Sequence, residues 1–327
     1  MRVYVLGATG HIGSYLVPRL VRAGHEVVAA SRGTRGPYHP DDAWQECRRV
    51  VLDREATDAE GSTAAQVLAG RPDAVIDLVC FTTASAGQLV EGLRGEVGLL
   101  AHCGSIWSHG TSTHLPVLED DPKFPFGEYG VGKQAVEELL LAESRSGGLP
   151  CTVVHPGHIS GPGWPVINPV GNLDPRVWAV IARGDELVVP EDGSAAVHHV
   201  HADDVAQVFQ RAVAQPDASA DEAFHAVSAR ALTVRGFAAA AYGWWGHEPR
   251  LRSVGWSEFE AIAGEEHAAT SWEHLHRSLV CSIAKPVDRL GYAPGWSSEE
   301  AAREAVTWLA EHDEAYEVPS PGAVAGG

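Results

Sequence analysis

The chain has 327 residues, 45% of them apolar, enough for one large domain or two lobes on a shared core, which excludes wholesale disorder. Its 24 Lys and Arg stand against 43 Asp and Glu, a formal charge of -19 that opposes binding to nucleic-acid phosphates. Anionic small molecules are not excluded, because a few local cations and backbone N–H groups outweigh a distant net charge.

No segment approaches the ~18 consecutive apolar residues of a membrane span. Val3–Leu6 is too short for the apolar core of a signal peptide and runs straight into glycines. Cys47, Cys80, Cys103, Cys151 and Cys281 form no CxxC pair, and several sit in apolar runs. They read as reduced core residues of a cytoplasmic protein whose expected partner is a small molecule.

In chain order, apolar strand-like runs at 2–6, 26–30, 49–52, 74–79, 97–102 and 152–155 alternate with helix-like stretches at 12–23, 63–69, 85–93 and 129–144. Continuous apolar strands with helical crossovers predict a parallel sheet covered on both faces, and the right-handed crossover rule makes it doubly wound. Past Pro156, residues 161–175 are rich in Gly, Pro and Asn and read as an ordered loop. A helix is expected at 176–183, strands at 186–189 and 197–201, and a helix at 203–213 opened by Asp203 and Asp204. A last amphipathic helix spans 299–311, and 318–327 reads as a flexible tail.

Between the first strand and first helix stands Gly7-Ala8-Thr9-Gly10-His11-Ile12-Gly13. Gly7 permits a tight turn, Gly10 lets backbone approach a pyrophosphate, and Gly13 lets helix and strand pack closely. The helix end then offers N–H groups and positive dipole to phosphates. Gly7, Thr9, Gly10, His11, Ile12 and Gly13 are therefore the expected cofactor-binding turn. At the end of the second strand, an acidic side chain would bond the ribose hydroxyl of NAD; the chain has Ser31 and Arg32 there, which suit a 2′-phosphate and favour NADP over NAD. Asp53 is placed either to hold the adenine amino group or to cap a helix.

Tyr129 and Lys133 stand four residues apart, hence on one helix face. A phenol of pKa ~10 is a poor base at neutral pH, and a cation ~5 Å away at an effective dielectric of ~20 lowers it by about two units. Ser105 follows the strand at 97–102, at a strand end where open α/β sheets bind ligands, and its hydroxyl can meet the substrate oxygen that Tyr129 protonates. Ser105, Tyr129 and Lys133 are the expected catalytic set; Tyr129 and Lys133 also face the cofactor.

These pieces resemble the extended short-chain dehydrogenase/reductase family, of the NAD-dependent epimerase/dehydratase type. The likeness covers nearly the whole chain: the glycine turn, Ser105–Gly110, Tyr129–Lys133, His155–Gly163, Val200–Val205 and Leu290–Pro294 occur in that family's order. The resemblance implies a Rossmann domain over 1–155 with returning segments near 197–228, a mostly substrate-binding lobe over 156–317, and a homodimer built on a helix pair. It adds Pro156 to the cofactor contacts. It also implies an NAD(P)-dependent epimerase or oxidoreductase acting by hydride transfer on a hydroxylated, sugar or nucleotide-sugar substrate, with an NADPH-dependent ketone or aldehyde reductase as the alternative.

Departures narrow the substrate. Ile106 and Trp107 stand where the family's dehydratases carry an Asp-Glu pair, so dehydration is disfavoured. His158 replaces the usual Asn, and Val197 stands where nucleotide-sugar members carry a phosphate-gripping Arg, with Arg176 or Arg183 as candidates to compensate. Trp107, His158 and Trp164 join Ser105 as expected substrate contacts. His198, His199 and His201 with His155 and His158 lack a ligand of telling spacing, so no metal is expected.

Overall fold

The computed structural model describes residues 1–322. In chain order its strands are β1 (Arg2–Leu6), β2 (Glu26–Ser31), β3 (Arg48–Val51), β4 (Ala74–Asp77), β5 (Leu99–Cys103), β6 (Cys151–Pro156) and β7 (His158–Ser160). There follow β8 (Leu187–Pro190), β9 (Ala196–Val197), β10 (His199–His201), β11 (Glu222–Ala226), β12 (Leu232–Thr233) and β13 (Leu251–Val254). Seven of them form one parallel sheet in the order β11-β6-β5-β4-β1-β2-β3, the doubly wound architecture that the apolar runs predict.

The central strands are buried on both faces because helices cover each side. Residues of β4, β5 and β6 are buried throughout. Val3, Val5, Ile76, Ala101 and Val154 pack with Leu16 and Leu20 of the helix His11–Arg22 and with Val205, Val208 and Phe209 of the helix Ala202–Ala214. Alternate residues, among them Tyr4, Val75, Leu100 and Val153, pack on the opposite side with Leu89 and Leu93 of the helix Thr83–Leu93 and Val136 and Leu140 of the helix Gly127–Arg145. The chain returns after residue 201 to supply both a covering helix and the edge strand β11.

The remaining residues build a second core around Trp178, Phe237, Tyr242, Trp244 and Trp245, bounded by the parallel pair β8–β13 and the antiparallel pair β9–β12. Asp204 joins this part to the sheet: its carboxylate accepts from Gly295 N at 2.7 Å and Trp296 N at 3.1 Å. The last helix, Ser298–His312, begins with a capping box between Ser297 and Glu300.

Three expectations change. The run 197–201 is not one strand: His158 N donates to the His198 carbonyl, and the His198 ring meets Ser228 O and Cys281 N, so β9 and β10 separate there and pair with different partners. The strand β11 and the helix Val234–Trp244 were not anticipated from pattern. Residues 318–322, expected within a flexible tail, dock instead: Val318 is buried, Trp245 Nε1 donates to Pro319 O at 2.8 Å, and Gly322 N donates to Trp244 O. Residues 323–327 of that expected tail lie outside the described residues. Among the described residues no helix is long and apolar enough to cross a membrane.

Close packing at the first turn is testable. A Cβ at Gly13 would stand 2.2 Å from the Ala8 carbonyl oxygen, whereas one at Gly36 meets nothing within 4 Å. Gly13→Ala is expected to cost about 1–3 kcal/mol in denaturant unfolding, through overpacking, and Gly36→Ala to stay within about 0.5 kcal/mol of the parent.

Candidate active site

The first turn is held by backbone alone. Gly7 has φ +84°, and a Cβ there would lie 2.6 Å from Val79 Cγ1. Gly7 N and Ala8 N both donate to the Ala30 carbonyl at 3.0 Å, anchoring the turn to β2. The helix His11–Arg22 starts at Gly10 with no side-chain cap and no acidic residue in its first turn, so its leading N–H groups are left for an anion.

A cleft of about 690 Å³ opens beside this turn, walled by Gly7, Thr9, Gly10, Ser31, Arg32, Arg35, Asp53, Val79 and Phe81 among others. Its size, the close backbone approach and the open helix end fit a dinucleotide, with the pyrophosphate at the turn. Ser31 and Arg32 stand at the β2 end as expected. Asp53 meets the helix-capping reading: Oδ1 caps the helix Arg54–Ala59 through Glu55 N and Ala56 N, and the residue also lines the cleft. His11, Ile12, Gly13 and Pro156 are not among its walls. Ile12 packs in the core and Pro156 closes the buried strand β6. His11 is buried, stacked on Trp164 at 5.4 Å, and burial pushes its pKa down to about 3.

Lys133 is buried and donates to the Cys80 carbonyl at 3.0 Å and the Cys103 carbonyl at 2.8 Å. Its ammonium lies 4.5 Å from the Phe81 ring centroid and 5.8 Å from that of Tyr129. Phe81 lines the dinucleotide cleft, and Lys133 adjoins the cleft through that ring, although Ser105, Tyr129 and Lys133 are not themselves among its walls. Ser105 begins the 3-10 turn Ile106–His109, its hydroxyl accepting from Trp107 N at 3.1 Å.

The expected acidification of Tyr129 is not seen. The residue as a whole is half-exposed, yet burial is the largest influence on its phenol, with Cys103 adding to it and the Ser105 hydroxyl opposing; the result is pushed up to about 12. The lysine ammonium lies over the Tyr129 ring, 5.8 Å from its centroid, and bonds two carbonyls instead of the phenol oxygen.

Of the expected substrate contacts, Trp107 stands edge-on to Tyr129 at 5.7 Å and His158 reaches the same group through His274, which is 4.9 Å from Trp107 and 5.1 Å from His158. Trp164 is not brought to them: the loop after β7 carries it over the glycine turn. His198, His199 and His201 diverge, their ring nitrogens meeting Ser228 and Cys281, Ser160, and Glu304 with Asp203 respectively. The arginines considered as phosphate grips are engaged elsewhere, Arg176 by Asp174 and Arg183 by Asp185.

Sequence reasoning missed four contributors. Phe81 and His274 follow no recognisable spacing. Arg277 is buried and lies between the Trp107 and Phe126 rings, 3.8 Å from each centroid, holding the tryptophan beside the tyrosine. Arg54 is buried under the cleft, paired with Asp77 at 2.7 Å and Asp58 at 2.9 Å and bonded to Ser85. Only its place one residue after Asp53 hinted at it.

Comparison with known proteins agrees with this geometry. The family model described as NAD dependent epimerase/dehydratase family matches residues 3–226. The chain is similar to 2′-dehydrokanamycin reductase of Streptomyces kanamyceticus, 34% identical over 62% of this chain and 55% of that protein. It thus spans about half the length of that relative. It is 29% identical to UDP-glucose 4-epimerase of Mycolicibacterium smegmatis over 65% of this chain and 73% of that one. Among solved structures, UDP-glucose 4-epimerase of Thermotoga maritima with UDP-glucose superposes with a TM-score of 0.69 at 19% identity, covering 95% of this chain and 99% of that chain. That last likeness concerns the fold.

The tyrosine's protonation is directly measurable. A wild-type minus Tyr129→Phe ultraviolet titration of the cofactor-free protein is expected to give a phenol midpoint near 12, above the ordinary 10.0. Because the folded-state value is the higher one, the neutral phenol's contribution to stability is complete below pH 10 and is lost as pH rises toward 12. Adding oxidised dinucleotide, whose ring is cationic, is expected to move the midpoint down.

Proposed function

We infer the reaction from one premise: the chain belongs to the NAD dependent epimerase/dehydratase family. It is an NAD-dependent epimerase or oxidoreductase, and the substrate we propose is a hydroxylated, sugar-like molecule bound against Trp107, His158 and Ser105. What supports this reading is the mutual proximity of Ser105, Tyr129 and Lys133, with the Lys133 ammonium 4.5 Å from the Phe81 ring that walls a cleft of dinucleotide size.

When bound, a nicotinamide dinucleotide supplies the hydride acceptor and donor. The chain's residues do the rest. Gly7, Thr9 and Gly10 hold the pyrophosphate by backbone, and Ser31 and Arg32 receive the adenosine ribose. Lys133 is fixed by two carbonyls, which leaves its third N–H available to a ribose hydroxyl. Ser105 aligns the substrate oxygen, and Tyr129 takes the hydroxyl proton in the oxidative direction and returns one in the reductive direction. Ile106 and Trp107 supply no acid for elimination, which keeps the chemistry at proton and hydride exchange. A turned-over keto intermediate gives an epimer; a released one gives net oxidation or reduction.

The second reading, a reductase using NADPH on a small ketone or aldehyde, is supported by two observations. Ser31 and Arg32 suit a 2′-phosphate, and the relative from Streptomyces kanamyceticus is by name a 2′-dehydrokanamycin reductase. Val197, buried in β9, supports the same direction, since no guanidinium stands there for a nucleotide diphosphate. We further read the protein as a cytoplasmic homodimer. All five cysteines are free, which suits a reducing compartment, and the helices Thr83–Leu93 and Gly127–Arg145 lie side by side on one sheet face as a surface for pairing.

Two variants test the assignment. Tyr129→Phe is expected to lower kcat by about 10²–10⁴-fold on any turned-over sugar or ketone, with KM little changed; retained turnover would remove the tyrosine from the reaction. Arg32→Ala is expected to weaken NADP binding by at least about tenfold while leaving NAD within about threefold, in line with the loss of a charge-assisted bond of about 1.5–3 kcal/mol. Equal loss for both cofactors counts against NADP. Product analysis then separates the two readings: epimer without consumption of added cofactor, or stoichiometric oxidation of NADPH.

A further inference from the structure

Beneath the loop that carries Ser105 lies a second cluster, outside the dinucleotide cleft. β6 and β11 are parallel neighbours with His155 opposite His225, so both imidazoles leave the sheet on one side. His109 ends the 3-10 turn that Ser105 begins and meets them there. All three are buried, and one ring nitrogen of each lies within 4.8 Å of one from each of the others.

Their hydrogen bonds have the pattern that surrounds imidazole ligands. His155 Nε2 meets Glu137 Oε2 at 3.0 Å, and His225 Nδ1 meets the Ser282 carbonyl at 3.0 Å. Carboxylate and carbonyl oxygens only accept, so each bond fixes a proton on that nitrogen and leaves the other nitrogen of the ring with a bare lone pair. His155 Nδ1 has no partner. His225 Nε2 lies 2.8 Å from His109 Nε2, which must then donate, and this leaves His109 Nδ1 as a second buried acceptor without a partner. Buried lone pairs facing no donor are rare, and a cation satisfies them.

Two carboxylates that neighbour the cluster also line the surface. A separate surface cleft of about 580 Å³ has Glu119 and Glu137 among its walls, with Asp120, Asp121 and Glu222; seven carboxylates line it with Lys123 and Arg145, and Lys285 and Arg289 pair with Asp120 and Glu222 from outside the lining. Lys123 is paired with Glu137. Glu119 is a further buried carboxylate, accepting from His225 N at 2.9 Å and lying 3.5 Å from His225 Nδ1, the nitrogen that also meets Ser282 O and not the one facing His109.

We propose that His109, His155 and His225 form a binding site for a Zn(II)-class transition-metal ion, with Glu119 as a neighbouring carboxylate. Sequence spacing gave no sign of it, and the site revises the expectation that the chain holds no metal. Zn–N bonds of about 2.0–2.1 Å set the ring nitrogens ~3.4 Å apart, so the ion would replace the 2.8 Å contact between His109 and His225. The ion would tie the Ser105–His109 turn to β6 and β11.

The test uses the whole chain after chelator treatment and dialysis. Titration with Co(II) is expected to give the visible bands of a tetrahedral nitrogen–oxygen site, saturating at one equivalent and displaced by Zn(II). Zn(II), but not Mg(II), is expected to raise Tm. His109→Asn and His225→Gln are each expected to weaken Co(II) binding by at least about tenfold. X-ray absorption on the Zn(II)-loaded wild type should count three imidazoles, a readout independent of whether the variants fold. Absence of a Co(II) spectrum at excess metal, wild-type binding by both variants, or a zinc shell with fewer than two imidazoles overturns the proposal.

Discussion

A lysine ammonium buried between the ends of two central strands is the constraint on which the site is built. Lys133 belongs to the helix Gly127–Arg145, but its hydrogen bonds go to the Cys80 carbonyl just beyond β4 and the Cys103 carbonyl at the end of β5. A charge so placed is tolerable only while those oxygens remain in reach. The helix is therefore tied in register to the carboxyl ends of the strands, and Tyr129, one turn earlier on the same helix, is carried to the same place. Cys103 stands two residues before Ser105, so the same bond also sets where the serine loop begins.

Around that fixed point the site is assembled from separate segments with little in common. The glycine turn contributes backbone geometry, the end of β2 contributes polar side chains, and the loop past β5 contributes Trp107. Arg277, from far along the chain, sits against Trp107 and Phe126, so the late part of the sequence steadies a ring that an early part supplies. The family match stops at residue 226, short of His274 and Arg277. The part of the cleft most able to select a substrate thus lies partly beyond the region that identifies the family.

How much of this the sequence showed follows from where the signal is local. The six strands from 2 to 155 and the helices between them were legible because parallel strands buried on both faces are continuous apolar runs, and the crossover helices have a clear period. Glu222–Ala226 was not, since a sheet-edge strand carrying Glu and His looks like neither pattern; only its pairing with β6 makes it a strand. Val197–His201 looked like one strand because the pattern does not record that His198 bonds to its flanks. Within the site, Tyr129, Lys133 and the glycine turn were readable from spacing of three or four residues. Trp164 was misplaced because the direction of a Gly- and Pro-rich loop is set by tertiary contact. The acidity of Tyr129 was misjudged for a related reason: spacing puts a lysine near a phenol but does not say which oxygens the lysine prefers.

The state of His11 has a consequence for how the cofactor is gripped. With its pKa pushed down to about 3, this imidazole carries no charge over the whole range in which cells acidify. The glycine turn is therefore an anion receptor made of peptide dipoles, with no titrating proton in it. On the proposed reading, the hold on a dinucleotide at this end would not follow swings of pH, and would respond to ionic strength through Arg32 and Arg35 of the cleft wall.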